Sequence, residues 1–344
     1  MAYATINKPT DYFNTVIWSG DGTDDRSITG VGFQPDTVWY KERNNAVSHR
    51  WVDAVRGIGK ELYVDLDNAE YATSNEIQAY ESDGFQIGND GSINGSSDTY
   101  VGWCWKGSNS TASNTDGSIT STVSANTTAG FSIVTYTGNG QAASFGHGLT
   151  SPKIVLIKDR TDDGNSWYFH TTQIDGSEDY LALEQNTAKS NASSGYSIGA
   201  SVFNLGGAGG WTNVSSKNYV AYCFKEIKGY SKFNIYTGNG SSSDGPFVYT
   251  GFKPGWLMIK KSSGTSNWTM WDTERQSNEI NKPLYADLSN AESAQTTVKL
   301  DLLSNGFKIR GNGSNINSSG GTYTYMAFAK EPLVGTNNIA ATAR

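Results

Sequence analysis

Cysteine, histidine and charge are scarce in this 344-residue chain, and each scarcity excludes something. Two cysteines, Cys104 and Cys223, are too few for a disulfide scaffold. Three histidines, His49, His147 and His170, leave little material for a zinc site, and no metal or cofactor is expected. Charged residues make up only 17%, with 26 Lys and Arg against 33 Asp and Glu, a formal net charge of −7. That balance argues against nucleic-acid binding through an extended basic face and gives an acidic surface. No apolar run approaches the roughly 20 residues of a membrane-spanning helix, so no membrane insertion is expected. The opening Met1 to Asp11 lacks a basic-then-apolar pattern, so a conventional secretory signal is not expected either.

Uncharged polar residues and rings take up the space instead. The chain holds 39 Gly, 40 Ser, 33 Thr and 30 Asn, residues that suit short strands and turns and rank low in helix propensity. Ten Trp, 19 Tyr and 13 Phe are too many for a disordered chain and can supply a core. The length suggests two or three domains.

A unit of about 100 residues occurs three times. Apolar strands starting at Phe13, Phe131 and Phe233 run into Gly20-Asp21-Gly22, Gly138-Asn139-Gly140 and Gly238-Asn239-Gly240, strong hairpin signals. Gly32-Phe33-Gln34-Pro35 leads to Val38-Trp39-Tyr40-Lys41, and Gly251-Phe252-Lys253-Pro254 to Trp256 through Lys260, with Gly148, Pro152 and Ile154 to Lys158 between them. A tryptophan follows about ten residues on, at Trp51, Trp167 and Trp268. Leu62-Tyr63-Val64-Asp65 is echoed by Leu284-Tyr285-Ala286-Asp287 and more faintly by Leu181-Ala182-Leu183. Each unit closes on an aromatic strand ending in lysine: Tyr100 to Lys106, Tyr219 to Lys225 and Tyr323 to Lys330. In that strand one face carries Val101, Trp103 and Trp105 and the other Tyr100, Gly102 and Cys104, so it reads as a central strand buried on both sides. Cys223 occupies the Cys104 slot in the second copy, and both read as reduced core residues.

The expected fold is all-β: three tandem antiparallel β-sandwiches of jelly-roll or concanavalin-like type. The expected boundaries are an N-terminal arm 1–11, repeats 12–107, 129–229 and 230–333, a Ser/Thr/Asn-rich linker 108–128 that is flexible or extended, and a tail 334–344. The long linker suggests that units two and three pack as a pair, with unit one more independent. Single helical turns are expected only around 68–74 and 290–296.

Few residues stand out as chemistry. Asp53 and Arg56 match Asp272 and Arg275, while the second unit has Thr171 to Asp175 without the arginine. These read as an ion pair or turn-fixing hydrogen bonds at a strand end, with a polar ligand clamp as the alternative. Asp159 to Asn165 clusters carboxylates on a loop but lacks calcium-loop spacing, and reads as turn chemistry. No carboxylate stands out in all three copies, and neither Gly-x-Ser-x-Gly nor a phosphate-binding loop occurs, so no catalytic residue is assigned and an enzyme is not expected. The repeat tryptophans read as core. Better candidates for ligand contact are segments peculiar to one copy, Gly206 to Trp211 and Ser241 to Gly245, although no individual ligand-binding residue can be chosen.

The opening Met1-Ala2-Tyr3 through Asn7-Lys8-Pro9, with Tyr12 to Val16, then Ser27 to Asp36 with Trp39 and Lys41, resembles virion proteins of tailed phages, especially marine and cyanobacterial ones. Asp53 with Val55-Arg56-Gly57 and Tyr100 to Lys106 continue the likeness, which is close in unit one, good in unit three and weak in the middle of unit two. Their repeat is similar to concanavalin-like or SPRY-like sandwiches, binding folds without obligatory catalysis. The resemblance implies a non-enzymatic tail fibre or capsid decoration, made in the host cytoplasm, released by lysis and present in the virion. Its expected partners are other virion proteins through the N-terminal arm, a host cell-surface glycan, and other copies of the chain in a trimer. The alternative is a free carbohydrate-binding, lectin-like module.

Overall fold

The computed structural model describes residues 4–207, 211–276 and 279–334. Nearly all regular structure is strand. The helical segments among these residues are Pro9–Asp11, Gly91–Asn94 and Ser314–Asn317. The two four-residue helices do not fall where helical turns were expected: 68–74 holds the short strand Tyr71–Ala72, and 290–296 is irregular.

Six antiparallel sheets form three pairs, each a large sheet facing a small one. In the first pair the large sheet runs Phe13–Ser19, Thr99–Trp105, Thr37–Glu42, Arg50–Asp53, Lys60–Tyr63, Tyr71–Ala72 in spatial order. The small sheet runs Arg26–Thr29, Gly84–Ile87, Ile77–Glu81. The second pair repeats this order with Phe131–Thr137, Asn218–Phe224, Ile154–Asp159, Tyr168–Thr171, Asp179–Ala182 and Ser190–Asn191. The third does so with Ser231–Thr237, Thr322–Pro332, Phe252–Lys261, Thr269–Asp272 and Leu284–Tyr285.

Alternation along the central strands explains four separate cores. Tyr100 and Cys104 pack with Val38, Tyr40 and Phe85 between the two sheets of the first pair. Tyr219, Ala221 and Cys223 do the same in the second pair, and Tyr323, Tyr325 and Ala327 in the third. The opposite faces meet one another. Trp39, Trp51, Trp103 and Trp105 from the first large sheet, Leu156, Phe169, Tyr222 and Phe224 from the second, and Trp256, Met258, Met270 and Phe328 from the third form one shared core. Inside it, Trp105 and Trp256 cross edge to face at 5.8 Å, and Trp51 stacks on Tyr222 at 4.3 Å. The two cysteines lie in separate cores and are free.

Strand register corrects one sequence correspondence. Thr37 pairs with Asp53, Ile154 with Thr171 and Trp256 with Asp272, so Trp51 is equivalent to Phe169 and Met270. Trp167 and Trp268 instead match His49, two residues earlier. The spacing misleads because the tryptophan itself sits two positions earlier relative to this strand in the second and third copies, while the first and third connections are equally long. The indoles of Trp167 and Trp268 each donate across to a neighbouring pair, to the carbonyls of Tyr63 (2.8 Å) and Ala182 (2.9 Å). His49 faces the backbone of Tyr285, burial holding its pKa well below the usual histidine range, and its Nδ1 accepts from the indole of Trp39. These contacts run second pair to first, third to second and first to third, so the head-to-tail arrangement closes on itself.

Closure replaces the expected separation of unit one from units two and three. The segment 108–128 is no flexible linker: Ala112–Asn114 and Ser121–Asn126 add two strands to the edge of the second large sheet. Ser121 and Val123 are buried on one face of the added strand and Ser124 on the other, where its hydroxyl donates to the buried Asp36 carboxylate of the first pair (2.9 Å). The expected N-terminal arm also lies on the body over its described residues. Ala4 and Ile6 are buried, Ile6 within the shared core, while Thr5, Asn7 and Lys8 face outward. Beyond Val334 the expected tail lies outside the described residues.

Candidate functional site

Asp53 and Arg56 tie sheet pairs together. Arg56 Nε donates to Asp53 Oδ2 (2.5 Å) and Nη1 to Glu70 Oε2 (3.0 Å), and Tyr222 of the second pair donates its hydroxyl to Asp53 (2.7 Å). Arg160, also from the second pair, grips Glu70 with two hydrogen bonds of 2.8 and 3.0 Å. Burial pushes the Glu70 pKa up, but Arg160 and Arg56 hold it below the usual value. The set recurs between the third and first pairs: Arg275 on Asp272 and Glu292, Arg43 on Glu292, and the indole of Trp103 on Asp272 (3.1 Å). Between the second and third pairs the corresponding positions are Thr171, Ile174 and Met326; Ile174 and Met326 lie in the shared core, and Thr171 donates to the Lys153 carbonyl. The second copy thus lacks the ionic set that the other two junctions carry.

The other polar segments are also committed to structure. Asp159 Oδ1 accepts from the backbone of Thr161 and Asp162, Asp162 pairs with Lys217 (2.7 Å), and Asp163 accepts from the backbone of Ala69 (2.7 Å). His147 accepts from the backbone of Leu149. Ser241 to Gly245 is closed by Asn317, which donates to the Ser241 carbonyl (2.9 Å), and Asp244 pairs with Lys308. Among the described residues no group of three or more His, Cys, Asp or Glu side chains is placed to hold a metal ion.

One place differs. On strand Tyr168–Thr171, Phe169 faces the shared core, so Tyr168 and His170 project the other way; Tyr180 and Ala182 stand beside them on the next strand. The small sheet of this pair leaves the end of its core uncovered, and a cavity of about 170 Å³ opens there, lined by Tyr168, His170, Tyr180, Tyr196, Trp211 and Thr212 among others. A second hollow of about 440 Å³ continues from it past the shared wall of Tyr168, Tyr180 and Trp211. Trp211 stacks on Tyr168 (5.5 Å, 21°) yet remains 56% exposed. Such an exposed ring next to a cavity is a binding feature, since covering it with apolar ligand surface is favourable.

The floor is polar and incomplete. His170 is only 3% exposed, sandwiched between Tyr196 (5.6 Å, 17°) and Phe203 (4.9 Å, 64°), and neither ring nitrogen has a hydrogen-bond partner. Glu178 Oε2 accepts from the backbone of Ile198, but Oε1, 3.7 Å from His170 Nδ1, has no hydrogen-bond partner. Buried polar atoms normally find partners, and leaving them without one costs about 1–3 kcal/mol each. The site therefore has an aromatic wall and, at its base, a histidine without a hydrogen-bond partner.

Sequence reasoning singled out the segment ending in Trp211 as peculiar to one copy; residues 208–210 of it lie outside the described residues. It did not reach Tyr168, Tyr180 or His170. The available signal was Tyr168 and Tyr180 standing where the first copy carries Arg50 and Glu61, which only a correct strand register exposes.

Comparison with curated proteins and with solved structures returns no significant match. A family model does match, and it runs unbroken through all three sheet pairs. Over residues 8–332 the chain belongs to the family described as Domain of unknown function (DUF7483).

Proposed function

We propose that this chain is a non-enzymatic structural protein of a tailed-phage virion, a tail fibre or capsid decoration, that contributes to host-surface attachment or particle stability. In this reading the three sheet pairs are tandem β-sandwich repeats of jelly-roll or concanavalin-like type. The protein is made in the host cytoplasm and leaves by lysis within the virion. The observation that carries the attachment role is the open aromatic cleft on the second pair, at a position filled in the other two. Two repeats serve as scaffold, and one presents a recognition site for a host-surface glycan. The virion placement rests on the sequence likeness of Tyr12 to Val16, Ser27 to Asp36 and Tyr100 to Lys106.

The shared core covers the aromatic faces within one chain, so a trimer in the particle would use other surfaces. The outward Thr5, Asn7 and Lys8 are what the N-terminal segment offers another virion protein. The second reading, a free lectin-like carbohydrate-binding module, is favoured by the same cleft.

Cryo-electron microscopy of the intact particle separates them. Density at the tail or a vertex, with the cleft of the second pair outward, supports attachment. Density spread over the capsid lattice favours decoration. Absence of the chain from particles overturns the virion reading and leaves the lectin.

A further inference from the structure

We propose that the cleft is a two-compartment groove for an uncharged oligosaccharide of at least two rings, which lies across Trp211. The inference rests on reading the cleft as a recognition site and specifies what it takes.

Charge sets the ligand class first. Among the described residues that line the two hollows there is no Lys, Arg, Asp or Glu. The wider hollow offers hydroxyls and an amide instead, from Ser166, Gln185, Thr187 and Ser190; the smaller adds Ser193 and Thr212. Behind the lining stand the carboxylates of Glu178 beneath His170, of Glu184, which accepts from Gln185, and of Asp159, which accepts from Asn165, with the Lys158 ammonium turned to the Asn165 carbonyl. An acidic sugar would meet that negative field without a cation in the lining to offset it.

Shape and unmet hydrogen bonds narrow the class further. Trp211, stacked on the buried Tyr168, presents a flat exposed ring between the compartments, and the C–H face of a pyranose ring matches such a surface. Ring hydroxyls both donate and accept, so one sugar hydroxyl entering the smaller compartment can pair with a ring nitrogen of His170 in either tautomer. A purely apolar ligand would leave that nitrogen unmet. Because both compartments share Tyr168, Tyr180 and Trp211, a chain that occupies one runs naturally into the other.

The test is titration of the full chain, by calorimetry and by tryptophan fluorescence, with neutral gluco-, manno- and galacto-oligosaccharides of one to four rings. Sialylated and uronate-containing chains of the same length are run in parallel. The expected result is binding of a neutral series whose affinity rises at least about tenfold from one ring to two or three, with acidic chains weaker. Trp211→Ala should lose at least about tenfold in affinity without a change in Tm. His170→Phe should weaken binding while keeping the ring stack. Tyr249→Ala, which removes an exposed ring of the third pair, should change nothing.

Acidic chains that bind as well as neutral ones, or no gain beyond one ring, overturn the two-compartment neutral groove, while loss of binding in Trp211→Ala still upholds the cleft as the site. Binding untouched by both cleft variants moves the site elsewhere. Failure of the wild-type chain to bind any saccharide at millimolar concentration overturns the groove and, with it, glycan recognition by the cleft.

Discussion

The first and second sheet pairs use the same backbone positions to opposite ends. In the first pair, Arg50 stacks over the ring of Tyr63 (4.3 Å) and donates to the hydroxyl of Tyr71, which donates to Glu61; Tyr40 donates to the other oxygen of Glu61 (2.7 Å). That cluster seals the end of the core with polar groups that satisfy one another. In the second pair the equivalents of Arg50, Glu61 and Tyr71 are Tyr168, Tyr180 and Ser190, and Val52 has become His170. The charged members are gone, nothing fills their volume, and the rings that remain line an opening. The third pair closes the same place differently, with Trp271 at the His170 position and Ile280 from an added edge strand, both fully buried. The loop that delivers Trp211 follows the same logic. The first and third pairs have short helices at Gly91–Asn94 and Ser314–Asn317, and the second has no helix there among its described residues. The opening reflects the loss of groups that seal the same end of the other two pairs.

The largest effect should come from breaking the sealed version. Arg50→Ala leaves Glu61 buried without its cation and should cost about 3–5 kcal/mol in urea unfolding. Tyr168→Ala, at the equivalent position of the open pair, should cost about 1–2 kcal/mol, because the site is already hollow and one side relaxes into solvent. Equal losses would mean that the second pair is as sealed as the first.

A subtler comparison uses the acids beneath the cross-pair contacts. Asp287 accepts from the backbone of Trp268 (2.9 Å), and Glu184 accepts from that of Trp167 (3.0 Å). Burial pushes the Asp287 pKa up to about 7. A carboxyl whose folded pKa exceeds its unfolded value near 4 binds its proton more tightly in the folded chain, so stability falls as pH rises between about 4 and about 7. Asp287→Asn should make that decline shallower than the wild-type chain's. Thermal unfolding of both chains from pH 4 to 8 reads the difference. The smallest effect belongs to Trp211→Ala, expected within about 0.5 kcal/mol of wild type, since most of that ring faces solvent. A larger loss would make Trp211 part of the fold and close the cleft as a candidate.

Much of the fold is legible residue by residue. Val101-Gly102-Trp103-Cys104-Trp105 announces a strand buried on both faces because a solvated face could not carry two tryptophans. The glycine, serine and asparagine load announces strands and tight turns, but the Asp-Gly or Asn-Gly pair after each first strand, a hairpin signal in sequence, carries the chain across to the facing sheet instead. Other features are silent in sequence. Ser121 and Ser124 look like linker residues until Asp36 accepts from Ser124, and Ile6 looks like part of an arm until the shared core takes it in. Asp53 and Arg56 read as a local pair because Tyr222, which completes them, lies 169 residues away in the chain.

By itself, then, the sequence determined the triplication, the strand-rich class, the double-sided burial of the closing strands and the odd character of the segment that ends in Trp211. These are properties of local periodicity and composition, written in consecutive residues. Tertiary structure alone decided that the second apolar faces meet in one core, that the ionic pairs are cross-links between sheet pairs, and that one of three equivalent ends stays open. Those outcomes depend on which distant groups fill a given volume and satisfy a given donor, and neither is encoded within reach of a single strand.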